Sequence, residues 1–173
     1  MSSDPGLTEN RAPTTVRAGK AIVCREVDDA MTTPSLGSGV AVAIYNRTNG
    51  SGGMLHFLLP AAAIDSELSA ERPEFFADTG IELLVHQMEL TAQTRSDLEA
   101  WIVGGADCFF RGHGECELAL GQRNVEAAEK ALAAAQIEIA GRRVGGSMAR
   151  RLTLDLSIGK PRIHETPMAR RDR

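Results

Sequence analysis

Cysteine is scarce in this sequence, with three in 173 residues. An odd count without framework spacing points to a reduced protein rather than a secreted, disulfide-stapled one. Long hydrophobic runs are missing too. No apolar stretch approaches the length that spans a bilayer, and the first residues lack the basic-then-apolar order of a secretory signal. The expected location is therefore the cytoplasm, without membrane insertion. The body of the chain has no basic stripe and the net charge is −4, so neither nucleic acid nor an anionic lipid surface is expected as a partner. Gly-x-Gly-x-x-Gly and Walker spacings are also absent. The pairs Gly52-Gly53, Gly104-Gly105 and Gly145-Gly146 are accordingly read as tight backbone turns, not as a phosphate cradle. No cofactor is expected.

What is present is an ordinary globular composition, 43% hydrophobic and 24% charged, enough for one core. Residues 1–14 are polar and carry Pro5, Gly6 and Pro13, a composition expected to leave a disordered tail. Residues 166–173 are rich in arginine and expected to form a flexible basic tail, which leaves 15–165 as a single domain. Within it, strand-like and helix-like segments alternate, as in an α/β architecture. Residues 16–24 read as a first strand. Residues 39–45 read as a second, and the unbroken run Val40-Ala41-Val42-Ala43-Ile44 predicts an interior strand covered on both faces. Asn49-Gly50 supplies a tight turn, and a third strand over 54–59 stops at Pro60.

Farther along, Phe76, Ile81, Leu84 and Met88 mark the buried face of a helix over 74–90, with His86 on its surface. Residues 99–103 read as a strand. An alanine-rich helix follows over 120–136, with Asn124 as its cap. Two short stretches, 137–139 and 142–144, flank Gly141. Leu152, Leu154, Leu156 and Ile158 alternate with polar residues, the pattern of a half-buried strand, and residues 157–160 make the last turn.

Two neighbouring segments carry the chemistry. The first is Leu36-Gly37-Ser38-Gly39-Val40 and the second is Gly52-Gly53-Met54-Leu55-His56-Phe57-Leu58-Leu59-Pro60. They resemble the CheD family of bacterial chemoreceptor glutamine deamidases, whose signature reads Leu-Gly-Ser-Cys-Val followed by Gly-Gly-Met-x-His-Phe-x-Leu-Pro. Gly104-Gly105-Ala106, the stretch Leu120-Gly121-Gln122-Arg123-Asn124 and Gly145-Gly146 resemble further family motifs, so the likeness spans residues 16–163. It implies a three-layer α/β sandwich of mixed sheet and helices. It also implies a site in which a cysteine at position 39 attacks a glutamine amide, His56 serves as base and acid, and Thr33 orients the imidazole. This chain has Gly39 where the cysteine should stand. Glycine can neither form an acyl-enzyme nor exchange a proton with an imidazole, so deamidation is expected to be lost.

No other residue is expected to replace the thiol. Ser38 is adjacent, but neighbouring side chains on an extended chain point to opposite faces, and Cys24 reads as a buried, inert thiol. Cys108 and Cys116 flank a loop with His113, but they lack the paired spacing of a structural zinc site, so no metal is expected. The resemblance further implies the cytoplasmic domain of methyl-accepting chemoreceptors as partner. A CheC-type phosphatase would dock at Val103, Gly104, Gly105 and Ala106, although Val103 stands where the family commonly has phenylalanine. The expected function is a chemotaxis protein that binds receptor or partner without catalysis, through a pocket enlarged by the missing side chain. The alternatives are a working protein-glutamine amidohydrolase seen as a Cys-to-Gly variant, and a drifted, non-catalytic binding module.

Overall fold

Residues 12–89, 96–107 and 120–168 are described by a computed structural model of the chain. The fold is α/β, with two mixed sheets and three α-helices among the described residues. The larger sheet has the order β2 (Lys20–Cys24), β5 (Gly52–Phe57), β4 (Val40–Asn46), β6 (Leu98–Gly104), β7 (Glu138–Val144), and all its pairs are antiparallel except β6 with β7. The smaller has β1 (Thr14–Thr15), β3 (Ala30–Thr32), β8 (Met148–Asp155), β9 (Lys160–Pro167), with only β1 and β3 parallel. The helices are α1 (Ser66–Glu71), α2 (Ala77–Gln87) and α3 (Leu120–Ala134).

Strand β4 explains why its sequence is apolar throughout. Val40, Val42 and Ile44 join a cluster with Ile81 and Leu84 of α2 and with Ala128 and Leu132 of α3. Ala41 and Ala43 face the other way, into a cluster with Met31, Leu152 and Leu154 of the smaller sheet. Each fully buried large side chain contributes about 1.5–3 kcal/mol, so two clusters on one strand fix its position firmly. The β4–β5 connection turns as expected at Gly50, with φ +72°, and Asn46 Oδ1 accepts from the backbone N–H of Thr48 at 2.9 Å.

Several expected elements are altered by tertiary context. The strand over 16–24 is split, because Val16 N–H donates to Thr32 O in the smaller sheet while β2 pairs with β5 in the larger. Gly19, at φ +65°, makes the crossing. The helix over 74–90 starts only at Ala77, after a single 3₁₀ turn at Pro73–Phe75, and its predicted buried face is correct at Phe76, Ile81, Leu84 and Met88. Gly52 and Gly53 form no turn but lie within β5, where a Cβ on Gly53 would come 2.8 Å from Leu84 Cδ1. The stretches flanking Gly141 form one strand, β7, with an irregularity opposite Ala100 and Trp101. Thr14 and Thr166, assigned above to the tails, belong to β1 and β9.

Candidate active site

The antiparallel pairing of β4 with β5 sets Ala41 opposite His56 and Val40 opposite Phe57. Gly39 lies one residue before β4, and a Cβ built on it would stand 3.2 Å from His56 Nε2. A side chain at position 39 therefore points at the imidazole. The same Cβ would lie 3.0 Å from Leu58 Cδ2 and 3.3 Å from Phe57 O. A Cβ at position 39 would thus sit in close contact with the Leu58 methyl and the imidazole. Two concave regions lie elsewhere, one along α2 at Glu82 and His86, the other beside Trp101 between β7 and β9. Neither includes Gly39 or His56.

His56 is 6% exposed. Burial lowers its pKa below the ordinary 6.5, opposed by the nearby Val16 backbone, which favours the charged ring. The imidazole is therefore neutral at pH 7, able to accept a proton. Nδ1 is buried without a hydrogen-bond partner among the described residues. Thr33 is buried as well, but its hydroxyl oxygen accepts from Leu152 N–H of β8 at 3.1 Å. No hydrogen bond joins Thr33 to His56 among the described residues. Ser38 makes none to His56 either among the described residues, and it is its carbonyl that takes part in hydrogen bonding.

That carbonyl belongs to a loop held from three points. Gly37 O accepts from Ala106 N–H at 2.8 Å and Gly39 O from Gly105 N–H at 2.9 Å. Ser38 O accepts from Asn124 Nδ2 at 3.0 Å, and the same amide nitrogen donates to Leu58 O at 2.9 Å. Val103, Gly104, Gly105 and Ala106 are all buried, and the last two act on the loop through their backbones. Their segment is anchored in turn by Gly145 N–H, which donates to Gly104 O at 3.1 Å, and by Asp107 N–H, which donates to Gly146 O at 2.8 Å. Arg150, nearly buried, donates to Gly145 O at 2.7 Å and to Glu165 at 2.8 Å.

Asn124 is the residue whose part the sequence did not reveal. Expected as a helix cap, it lies inside α3, which already begins at Leu120, and it is completely buried. The available signal was its type, since asparagine is a poor residue for a helix interior. Cys24 is half-buried, as a residue at the margin of the core between the sheets. Cys108, His113 and Cys116 lie outside the described residues. Among the described residues no group of three or more His, Cys, Asp or Glu side chains could hold a metal, and no helix is long and apolar enough to cross a membrane.

Comparison with known proteins adds an independent line. The family described as CheD chemotactic sensory transduction matches residues 58–165. That match begins after His56, so Thr33, Gly39 and His56 rest on geometry and motif rather than on it. A relative from Clostridium tetani, named "Probable chemoreceptor glutamine deamidase CheD", is 36% identical over 131 residues, 76% of this chain and 78% of the relative. One of the same name from Pyrococcus horikoshii is 36% identical over 135 residues, 78% of this chain and 82% of its own length. The "Chemoreceptor glutamine deamidase CheD" of Halalkalibacterium halodurans is 36% identical over 118 residues, 68% of this chain and 72% of its own.

Proposed function

Because this chain belongs to the CheD family, we propose that it engages glutamine-bearing segments of chemoreceptor cytoplasmic domains at a deamidase site that has kept its base and lost its nucleophile. One observation carries this reading. Position 39 is aimed at His56 Nε2, with a Cβ separation of 3.2 Å, the relation a nucleophile must have to its base.

In a complete site the thiol at that position would give its proton to the imidazole while sulfur bonds to the amide carbon. The imidazole would then return the proton to departing ammonia, and water would release glutamate from the thioester. With Gly39 the sequence of steps has no first bond. His56 still holds a neutral ring at the same place. Residues 105 and 106 hold the loop through their backbone N–H groups, and a CheC-type phosphatase is the partner proposed for the 103–106 segment.

A neutral imidazole in a buried setting tolerates an amide better than a carboxylate, whose burial without a countercharge is costly. Calorimetric titration of receptor cytoplasmic fragments is therefore expected to show binding, about tenfold tighter for the glutamine form than for the glutamate form. Absence of binding by both forms would refute the proposal.

A further inference from the structure

The loop that carries position 39 and the strand that carries His56 are joined at one atom. Asn124 Nδ2 donates one hydrogen to Ser38 O at 3.0 Å and the other to Leu58 O at 2.9 Å. Ser38 is the residue before the vacant nucleophile position, and Leu58 lies two residues beyond the base. The β4–β5 pairs continue to Val40 and Phe57, so this amide closes the end of the ladder where the site sits. A flipped amide would set its oxygen against two carbonyl oxygens, so the orientation is determined by the partners.

The arrangement is a poor choice for stability alone. Asn124 is wholly buried in an alanine-rich helix, and its Oδ1 has no hydrogen-bond partner among the described residues. An unpaired buried acceptor is costly, and an apolar residue of similar volume would suit the helix better. What the amide achieves is geometry. It fixes the separation of two backbone segments, and because the peptide unit is planar and trans, holding Ser38 C=O toward α3 turns the Gly39 N–H away from α3.

We infer that Asn124 is a positioning residue, a clamp from α3 that sets the distance and orientation between position 39 and His56. The inference rests on the reading of position 39 as the nucleophile's seat. It extends that reading to a residue that touches neither substrate nor reacting atoms.

The test uses the full chain carrying Gly39→Cys, with and without Asn124→Leu. Leucine removes both donors at similar volume and favours the helix. Iodoacetamide alkylation of Cys24, Cys108, Cys116 and the introduced thiol is followed against pH by peptide-resolved mass spectrometry, alongside hydrogen exchange at the Gly105 and Ala106 amides, which donate to Gly39 O and Gly37 O. With Asn124 present, the thiol at position 39 should titrate below the ordinary thiol value, through pairing with His56. With Asn124→Leu its midpoint should return toward that value, slowing alkylation at slightly acid pH roughly tenfold. Exchange at Gly105 and Ala106 should quicken by a similar factor, while the Leu156 amide, bonded to Asp29 O, keeps its rate.

A lower melting temperature with an unchanged midpoint would overturn the inference, since Asn124 would then be structural only. An ordinary thiol with Asn124 intact would mean that the reading of position 39 has failed. The exchange rates then decide the clamp by themselves: acceleration confined to Gly105 and Ala106 upholds it, and unchanged rates overturn it.

Discussion

Gly39→Cys is expected to turn this chain into a glutamine deamidase. The Cβ of the new residue would stand 3.2 Å from His56 Nε2, which leaves the sulfur within reach of the base. The fit is tight but accessible. Of the neighbouring atoms, Leu58 Cδ2 at 3.0 Å is the end of a flexible side chain and has only to yield by a few tenths of an ångström, whereas Phe57 O at 3.3 Å is backbone. Burial keeps His56 neutral at pH 7, so the ring can take the thiol proton without first losing one of its own.

Removing the nucleophile from comparable sites costs several powers of ten. Its return should raise deamidation of receptor fragments by at least about a thousandfold over the unaltered chain. Adding His56→Ala should cancel the gain. Conversion of glutamine to glutamate, counted by mass spectrometry of receptor fragments, reads both results. A folded Gly39→Cys protein without activity would show that the loop and the imidazole are not aligned for the chemistry.

Gly104→Ala is expected to be a strongly destabilising single-methyl substitution near the site. Gly104 has φ +115°, a conformation open to glycine and strained for alanine. The added Cβ would also collide with the carbonyl oxygen of Gly39 and lie 3.2 Å from Val40 Cα. Both neighbours are backbone, so no side chain can rotate aside. Strain of about 1–3 kcal/mol adds to the clash, and a total loss of roughly 4 kcal/mol corresponds to a melting temperature lower by about 10 °C for a chain of this size. Gly145→Ala provides the comparison: φ is +71° there, but nothing lies within 4 Å of the added carbon, so backbone strain of about 1–2 kcal/mol is the whole expected cost. Calorimetric melting of the two variants checks the argument. Equal losses would mean that the contact between Gly104 and the loop at Gly39 does not matter to the fold.

The parts of the molecule legible in the sequence are those where local pattern and tertiary role agree. The run from Val40 to Ile44 is apolar because both its faces are buried, the Asn49-Gly50 turn needs a positive φ, and the α2 face repeats every three or four residues. The motif around Gly39 and His56 was legible for a similar reason, since a ladder register brings sequence neighbours of two strands together in a fixed way. The missed elements lack such agreement. Ala30–Thr32 is too short to show alternation, and Lys160–Pro167 is a largely exposed edge strand containing two prolines, held to β8 by backbone pairing rather than by a buried face. Asn124 was misread because its bonds reach 86 and 66 residues along the chain, a span that local rules do not cover. Its place beside an alanine-rich segment suggested a cap when its use was tertiary. Val103, Gly104, Gly105 and Ala106, whose glycine pair resembles a family motif, are buried, and two of them are bonded to the site loop.

On the reading proposed here, position 39 lacks the group that would form the first covalent bond, beside a base that is in place. The direct test is to incubate the unaltered chain with glutamine-bearing receptor cytoplasmic fragments and count conversions to glutamate by mass spectrometry, beside the same chain carrying His56→Ala. No conversion above the buffer control in either sample is the predicted result. Conversion by the unaltered chain that disappears with His56→Ala would contradict the claim, because it would show that His56 serves another nucleophile.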